Sequence, residues 1–398
     1  MREGDAGQSC ARGSVKLACV VHRFGADIAG GSEGHCRLVA QHLAAAHDVT
    51  IVTTCAKDHI TWRNHYPAGE SRDGALRVVR FPVARERSMH RFMDLSDRVF
   101  ADGASPADEQ QWFRENGPES PDLLEHLRRH GGGYDRVLFW AYRYYDAYFG
   151  VPLVGDRAVL VPTAEEDPLI HVDAVRDLFA RPRGFIFLTP EEAALVGARA
   201  PAGRPSAIIG CGLDPVAPAA ARVPLDGLGV RDPFVLYLGR VDPNKGCGAM
   251  LRHFEKYAAV RQDVQLVVAG PASMPIPDHP LIRPLGFVSD EVREALLAGA
   301  RALVMPSPFE SLSMVLLEAW NRGLPALVNA RCKVLRGQVR RADGGLYYGN
   351  AVEFIAGLDY LIDHPEAARQ LGRQGLAYVD REYRWPTVME KVESVLRQ

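Results

Sequence analysis

The chain has 398 residues, 47% hydrophobic and 24% charged, a balance typical of a globular protein too long for one ordinary core, so we expect two domains. A formal net charge of −2, with no basic helix and no basic strand interleaved with aromatic residues, disfavours nucleic acid as a partner. The lack of a long apolar run, of a hydrophobic leader and of any C-x-x-C pair among the seven cysteines indicates a cytoplasmic protein with reduced thiols and no stable membrane span.

The chain is predicted to begin with a strand, a glycine loop and a helix. Residues 1–14 are expected to form a disordered tail, and residues 15–22 are a short apolar run typical of a buried parallel strand. Gly30 and Gly31 follow, and they either let the backbone approach a diphosphate or an acceptor or serve only a tight turn, with Ser32 as the expected N-cap. The loop is not G-x-G-x-x-G and the next strand ends in threonines, so a dinucleotide cofactor is disfavoured.

The rest of the chain alternates strands with helices, which predicts two doubly wound α/β sheets. Residues 83–120 are charged and aperiodic, a long excursion in which short helices are allowed for. We interpret them as a solvated surface rather than a membrane-facing or acidic-acceptor patch, although contacts to an acceptor are also to be sought there. The linker is predicted within residues 199–232. We therefore expect a first domain over residues 15–215, which the C-terminal helix (382–398) rejoins, and a second over residues 216–381.

The second domain contains a strand, a polar elbow and an amphipathic helix between residues 302 and 325. The apolar positions of the predicted helix are spaced i, i+3, i+4 and i+7 from Leu312. The backbone amides of Leu312 and Ser313 would then form a phosphate cradle at the helix N-terminus. Glu310 and Glu318 flank this cradle, and their carboxylates could accept hydrogen bonds from the hydroxyl groups of a nucleotide sugar. The alternative is that both are solvated surface glutamates.

Two cationic side chains follow the first strand of the second domain. Arg240 and Lys245 are separated by Asp242, Pro243 and Asn244 in a turn-like segment. At the carboxyl end of a parallel strand, two fixed cations can face a phosphate, which suggests a diphosphate clamp. Taken alone, they are ordinary surface charges.

At these positions the sequence resembles the family 4 glycosyltransferases, which are retaining enzymes of the GT-B fold with two Rossmann-like domains that face each other across a cleft. The resemblance spans nearly the whole chain from residue 15. The matching segments are GGSE at 30–33, GRVDPNKG at 239–246, GFVSD at 286–290 and PSPFESLSMVLLEAWNRGLP at 306–325.

The resemblance implies roles for these residues. Arg240 and Lys245 would bind the donor diphosphate, Glu318 the ribose hydroxyls and Glu310 the donor sugar. Phe287 and Val288 would flank the base. The donor-binding residues expected from the resemblance are Gly30, Gly31, Arg240, Lys245, Phe287, Val288, Glu310, Ser311, Leu312, Ser313 and Glu318.

The chain departs from the family pattern at two places. Members usually carry a histidine at the end of a first-domain strand, whereas the matching segment here, VPTAEEDP at 161–168, offers Glu165. His22 and His171 are alternatives, and each is also interpretable as a packing or surface histidine. The motif ESLS has serine where many members have glycine, and Ser313 still supplies an amide.

These residues, together with the resemblance, imply transfer of a hexosyl group from a nucleoside-diphosphate sugar to a glycan, a lipid-linked or a small-molecule acceptor. Catalysis would be front-face with retention, with Glu310, Arg240, Lys245 and Glu165 as catalytic residues; a covalent route through Glu310 or Glu165 is the less favoured variant. There is no Asp-x-Asp motif, so neither a metal nor a cofactor is expected. The alternatives are a sugar phosphorylase, a nucleotide-sugar hydrolase or epimerase, and a non-catalytic sugar-binding protein.

Overall fold

The computed structural model describes residues 13–28, 30–101, 103–216 and 223–398. The predicted disordered tail falls outside the described residues up to residue 12, as do residues 217–222 of the predicted linker. The chain divides into two compact units. The first comprises the described residues up to Pro162 together with Val172–Phe185, and the second comprises Thr163–His171 together with Ile186–Gln398.

One sheet, built from the first half of the chain, has eight strands within the described residues, in the order β3-β4-β2-β1-β5-β6-β7-β8. The pairs β1–β2, β1–β5, β2–β4, β5–β6 and β6–β7 are parallel, and β3 with β4 forms an antiparallel edge hairpin. The elements of this half are β1 (Lys16–Val21), α1 (Gly31–Leu43), β2 (Asp48–Thr54), β3 (Gly69–Asp73), β4 (Leu76–Phe81), α2 (Met89–Val99), α3 (Pro106–Asn116), α4 (Pro121–His130), β5 (Arg136–Trp140), α5 (Tyr145–Val154), β6 (Ala158–Val161), α6 (Asp173–Phe179), β7 (Gly184–Phe187), α7 (Pro190–Gly197) and β8 (Ser206–Ile208).

A second, wholly parallel sheet has six strands among the described residues, in the order β11-β10-β9-β12-β13-β14. Its elements are β9 (Phe234–Leu238), α8 (Cys247–Ala258), β10 (Gln265–Ala269), β11 (Ile282–Gly286), α9 (Asp290–Gly299), β12 (Leu303–Met305), α10 (Met314–Asn321), β13 (Ala326–Asn329), α11 (Lys333–Ala342), β14 (Gly345–Tyr348), α12 (Ala351–Asp363), α13 (Pro365–Glu382) and α14 (Trp385–Leu396). In both sheets the strand order reverses beside the first strand, as in doubly wound folds. The α/β class expected from the sequence is confirmed.

Burial explains why the apolar runs form central strands. Every residue of β9 and of β10 is buried, because helices cover both faces of a parallel sheet. Met250 and Phe254 of α8 pack with Val235 of β9 and with Phe354 and Leu358 of α12 in one buried cluster. This packing holds the carboxyl ends of the strands, from which the polar loops emerge.

Residues 83–120 form helices whose outer faces carry the charged side chains. They contain α2 and α3, whose apolar faces bury Leu95, Val99, Trp112 and Phe113. The expected local charge compensation is present: the Arg85 guanidinium lies 3.0 Å from Glu115 and 2.7 Å from Glu119. The short helices allowed for in this stretch are therefore present, and the charged residues on their outer faces obscure the apolar spacing in the sequence.

The C-terminal helix α14 follows a bridge between Leu213 and Arg384, and the Leu213 amide donates to the Tyr383 carbonyl at 2.7 Å. None of the helices in the described part of the chain combines the length and apolar character needed to cross a bilayer.

Candidate active site

The loop after β9 carries Arg240 and Lys245. The Tyr237 hydroxyl donates to the Arg240 carbonyl at 2.7 Å, and Asp242 Oδ1 accepts from the Asn244 amide at 2.8 Å, which caps a short 3-10 turn over Pro243–Lys245. Proline at the first position of this turn already has the required φ. The loop is therefore held by local bonds, which limit the positions that the two cations can adopt.

Gly246 ends this turn and lets the loop approach the end of β12. Its φ is +73°, and a Cβ at this position would lie 2.3 Å from the Pro306 carbonyl oxygen. Only glycine adopts this positive φ readily and also leaves room for the carbonyl oxygen.

Replacing Gly246 by alanine is therefore expected to lower the free energy of unfolding by roughly 1–3 kcal/mol and to move Lys245. Urea denaturation and nucleotide titration measure the two effects. The matched control is Gly248→Ala in the first turn of α8, where the new Cβ would meet only the flexible end of Arg252 and the Met274 methyl at 3.4 Å. Equal stability of the two variants would contradict the proposed role of Gly246.

Lys245 and Glu310 form an ion pair in the second unit. Lys245 Nζ lies 2.9 Å from Glu310 Oε1, and the two side chains are 33% and 11% exposed. Burial lowers the pKa of Lys245, but the carboxylates of Glu310 and Glu165 more than offset it, so the net shift is upward. Arg240 opposes that shift, and its Nε lies 3.4 Å from Asp242 Oδ2. The structure thus pairs Lys245 with Glu310, and Arg240 and Glu165 lie near enough to affect the pKa of Lys245.

The elbow between β12 and α10 differs in detail from the prediction. The helix begins at Met314, with Ser313 as N-cap, and Ser313 Oγ accepts from the Leu316 amide at 3.3 Å. Residues 307–313 are irregular, so Glu310 and Glu318 do not share one continuous helix. The sequence places the phosphate cradle at the amides of Leu312 and Ser313, whereas the first amides inside the helix are those of Met314 and Val315. Leu312 is buried, and Ser311 precedes it in the elbow.

Glu318 is paired with Arg293, a residue that the sequence did not indicate. The Arg293 guanidinium contacts Glu318 Oε2. Burial raises the pKa of Glu318, and Arg293 partly counteracts this. Arg293 lies on α9, and tertiary packing brings its side chain to Glu318 on α10. Glu318 therefore belongs to a separate charged pair from that of Glu310.

The segment between β11 and α9 contains the predicted base-flanking residues. Phe287 is 81% exposed, which is unusual for so large an apolar side chain, whereas Val288 is half-buried. Ser289 then caps α9 by accepting from the Val292 amide at 3.4 Å. An exposed aromatic face held beside a capped helix is suited to stacking on a planar ligand.

Gly30 and Gly31 lie in the first unit, at the start of α1. The helix begins at Gly31, so the N-cap is Gly30 and not Ser32, whose hydroxyl donates to Glu33 Oε2 at 2.7 Å. A Cβ on Gly30 would lie 2.3 Å from that same carboxylate oxygen, whereas a Cβ on Gly31 would meet nothing within 4 Å. A side chain at position 30 would therefore displace the Glu33 carboxylate, whereas a side chain at position 31 would fit without a clash.

His22 occupies a buried cluster in the same unit. Its Nε2 lies 2.9 Å from Glu33 Oε1, and its ring stacks on Tyr144 with centroids 3.7 Å apart. Burial raises the pKa of Glu33, but His22 and Arg23 hold it well below its usual value. His22 is therefore packed and paired, while His171, in the 3-10 turn Pro168–His171 of the second unit, is exposed.

Asp146 adds a pH dependence to this cluster. It is 1% exposed in α5, and burial raises its pKa to about 6 although His22 lowers it. Because the folded protein then binds this proton more tightly than the unfolded chain, the free energy of unfolding falls as the pH rises from about 4 to about 6.

We expect Asp146→Asn to remove this fall in the free energy of unfolding with rising pH. A rise of about two pKa units corresponds to about 3 kcal/mol, so the variant should be more stable than the wild type by up to that amount above pH 6 and by little below pH 4. Urea denaturation across this range provides the measurement, with Asp97→Asn, at an exposed position of α2, as the control. A stability difference that does not change with pH would refute the assignment.

Glu192 fixes the segment that carries Glu165. Its two carboxylate oxygens accept from the amides of Ala164 at 2.7 Å and Leu188 at 2.6 Å. Thr189, the N-cap of α7, accepts from the Glu192 amide at 3.2 Å and donates to the Ser311 carbonyl at 3.3 Å. This capping box is readable in the sequence as T-P-E-E at 189–192, but its contacts with the Glu165 segment and the elbow are not.

A comparison with protein families finds a match for the part of the chain that holds the Arg240–Lys245 loop and the elbow before α10. Residues 227–377 match the model of the family described as Glycosyl transferases group 1, and this range includes Arg240, Lys245, Glu310 and Glu318. No curated protein matches the chain.

Several solved structures share the fold. Sucrose-phosphate synthase from Thermosynechococcus elongatus is similar at 18% identity and a TM-score of 0.72, over 96% of this chain and 98% of that one. HepE from Anabaena, in complex with UDP and glucose, has 14% identity and a TM-score of 0.69, over 96% and 99%. The α,α-trehalose 6-phosphate synthase from Burkholderia multivorans has 13% identity and a TM-score of 0.63, over 97% and 98%. The chain is thus a glycosyltransferase enzyme of the GT-B fold, and its residues 227–377 are the part that matches the glycosyl transferases group 1 model.

Proposed function

We propose that the protein is a retaining glycosyltransferase, of the type of family 4, that moves a hexosyl group from a nucleoside-diphosphate sugar to an acceptor hydroxyl. The observation that supports this most directly is the Lys245–Glu310 pair at 2.9 Å, with Arg240 and Glu165 close enough to shift the pKa of Lys245. A cation paired with a carboxylate can hold a diphosphate and a sugar hydroxyl side by side.

In the proposed complex, Arg240 and Lys245 bind the diphosphate, together with the free amides at the start of α10. Glu310 orients the sugar, and Glu318, held by Arg293, accepts hydrogen bonds from the ribose. Phe287 stacks on the base, with Val288 beside it. A uridine nucleotide is the first donor to test, because HepE is described in complexes with UDP and with UDP-glucose.

The reaction breaks the bond between the anomeric carbon and the diphosphate oxygen and forms a bond from that carbon to the acceptor oxygen. We propose that both events occur on the same face of the sugar, and that the acceptor proton passes to the departing phosphate oxygen. Positive charge develops on the sugar and negative charge on the diphosphate, so Arg240 and Lys245 stabilise the leaving group. Glu310 is engaged by Lys245, which suits it to orienting the sugar rather than attacking it.

We also propose that the reaction needs neither a metal ion nor a cofactor, since these cations can supply the charge that a divalent ion supplies elsewhere. Activity should then persist in excess EDTA. A cytoplasmic location fits the free thiols of the six described cysteines, all of which are buried.

A donor screen scored by release of nucleoside diphosphate tests the proposal. We expect one nucleotide sugar to be consumed with an alcohol acceptor, and the product anomer, read by NMR, to keep the donor configuration. Inversion would reject the mechanism. Interception by phosphate or water alone would favour a phosphorylase or a hydrolase, and binding of free sugar without any nucleotide would favour a sugar-binding protein.

A further inference from the structure

A cavity of about 350 Å³ adjoins Glu310 in the second unit. Its wall combines Ala164 and Glu166, the first turns of α7, the elbow at Pro308–Glu310, and the segment from Arg331 to Val334. The cavity wall does not include Arg240, Lys245, Phe287 or Glu318. A ligand in this cavity would thus lie beside the residue proposed to hold the donor sugar but away from those proposed to hold the nucleotide.

The volume indicates the size of that ligand. About 350 Å³ is near the lower end of the range for small-molecule sites, which is roughly 300–1,000 Å³. It matches a ligand the size of a substituted monosaccharide.

The charges on the wall are compensated, with one exception. Glu166 lies 2.8 Å from Lys333, and Glu310 lies 2.9 Å from Lys245. Glu191 accepts two bonds from Arg341, at 2.6 and 2.9 Å.

Glu192, the remaining carboxyl group of the wall, is stabilised by backbone amides, and burial raises its pKa to about 8. Arg331 is the exception. Its guanidinium has no ion-pair or hydrogen-bond partner among the residues that the structure describes, although its backbone amide bonds to Asn329 Oδ1 at 3.0 Å.

We infer that this cavity is the acceptor subsite and that it selects a small acceptor with an anionic group, a phosphate monoester or a carboxylate, which binds Arg331. The inference rests on the proposed glycosyl transfer, because an acceptor is defined only for that reaction. The planar guanidinium suits both anions, which it can bind through two parallel hydrogen bonds. The hydroxyl to be glycosylated would then point toward Glu310, on the same wall.

Kinetics on matched acceptors test the inference. With the donor found by screening, we compare glucose, glucose 6-phosphate and glucuronate as probes on the wild type, Arg331→Ala, Arg331→Lys and the control Arg336→Ala, an exposed arginine on α11 outside the cavity. The wild type and the control should prefer an anionic probe by roughly 10- to 100-fold in kcat/KM. Arg331→Ala should lose that preference mainly through KM, and Arg331→Lys should restore part of it.

Calorimetry separates failure of this inference from failure of the proposed function. Arg331→Ala should weaken binding of the anionic probe and leave nucleoside diphosphate binding intact, while Arg240→Ala should have the opposite effect. Nucleotide binding and turnover with no preference for an anion, or a preference that survives Arg331→Ala, would overturn the acceptor site alone. If the wild type binds no nucleotide, the proposed function is overturned. Binding of the anionic probe to the wild type and to Arg331→Ala would still show whether Arg331 holds an anion.

Discussion

Lys245→Met is expected to lower kcat/KM by roughly 10²- to 10³-fold, the range observed when one preorganised group that stabilises developing negative charge is removed. Methionine keeps most of the side-chain volume and removes the charge. The loss should occur with any donor, because the diphosphate is common to all nucleotide sugars. Steady-state release of nucleoside diphosphate measures it, and calorimetry should show weaker nucleotide binding.

The matched control is Lys256→Met, which changes an exposed lysine in the last turn of α8, the helix that follows the Lys245 turn. It should retain wild-type kinetics. Wild-type kcat/KM in Lys245→Met would remove this residue from the site.

Glu310→Gln is the second substitution with a large expected effect. It keeps the shape of the side chain but replaces the carboxylate that accepts from Lys245 at 2.9 Å. If Glu310 orients the sugar only as the transition state forms, kcat should fall by roughly 10²-fold or more while nucleoside diphosphate affinity changes little. Single-turnover kinetics with saturating donor separate chemistry from binding.

The same substitution should also change the pH profile. Glu310 contributes most of the increase in the pKa of Lys245, and burial opposes it. Without Glu310 the pKa of Lys245 should fall, so the basic limb of kcat/KM should move to lower pH. Glu291→Gln, at an exposed position of α9, serves as the control. An unmoved basic limb would contradict the pairing, and near-normal kcat would remove Glu310 from catalysis.

Central strands could be predicted because their signal is local. β1, β9 and β12 are apolar runs, and burial on both faces of a parallel sheet requires an apolar run of this kind. The edge strands β3 and β11 were missed because most of their residues are exposed, so no apolar pattern marks them. The inner strand β13 was also missed, because its apolar run is only three residues long.

The turn that carries Arg240 and Lys245 could also be predicted from the sequence. The turn needs a capping side chain, a residue with a fixed φ and a residue that tolerates a positive φ. Within a few positions these are supplied by Asp242, Pro243 and Gly246, respectively. Its position after a predicted strand then located Arg240 and Lys245 at the carboxyl edge of the sheet.

The residues that complete the site were decided by tertiary structure. Arg293 reaches Glu318 from another helix, Glu165 influences Lys245 from a distant segment, and Glu192 joins that segment to α7. The partner of a charged side chain depends on how helices pack on the sheet, and a sequence pattern with a period of two or 3.6 residues carries no information about it. The sequence by itself determined the strands, the turn and the candidate charges; packing alone decided which of those charges meet, because Coulomb energy depends on distances that only the folded chain defines.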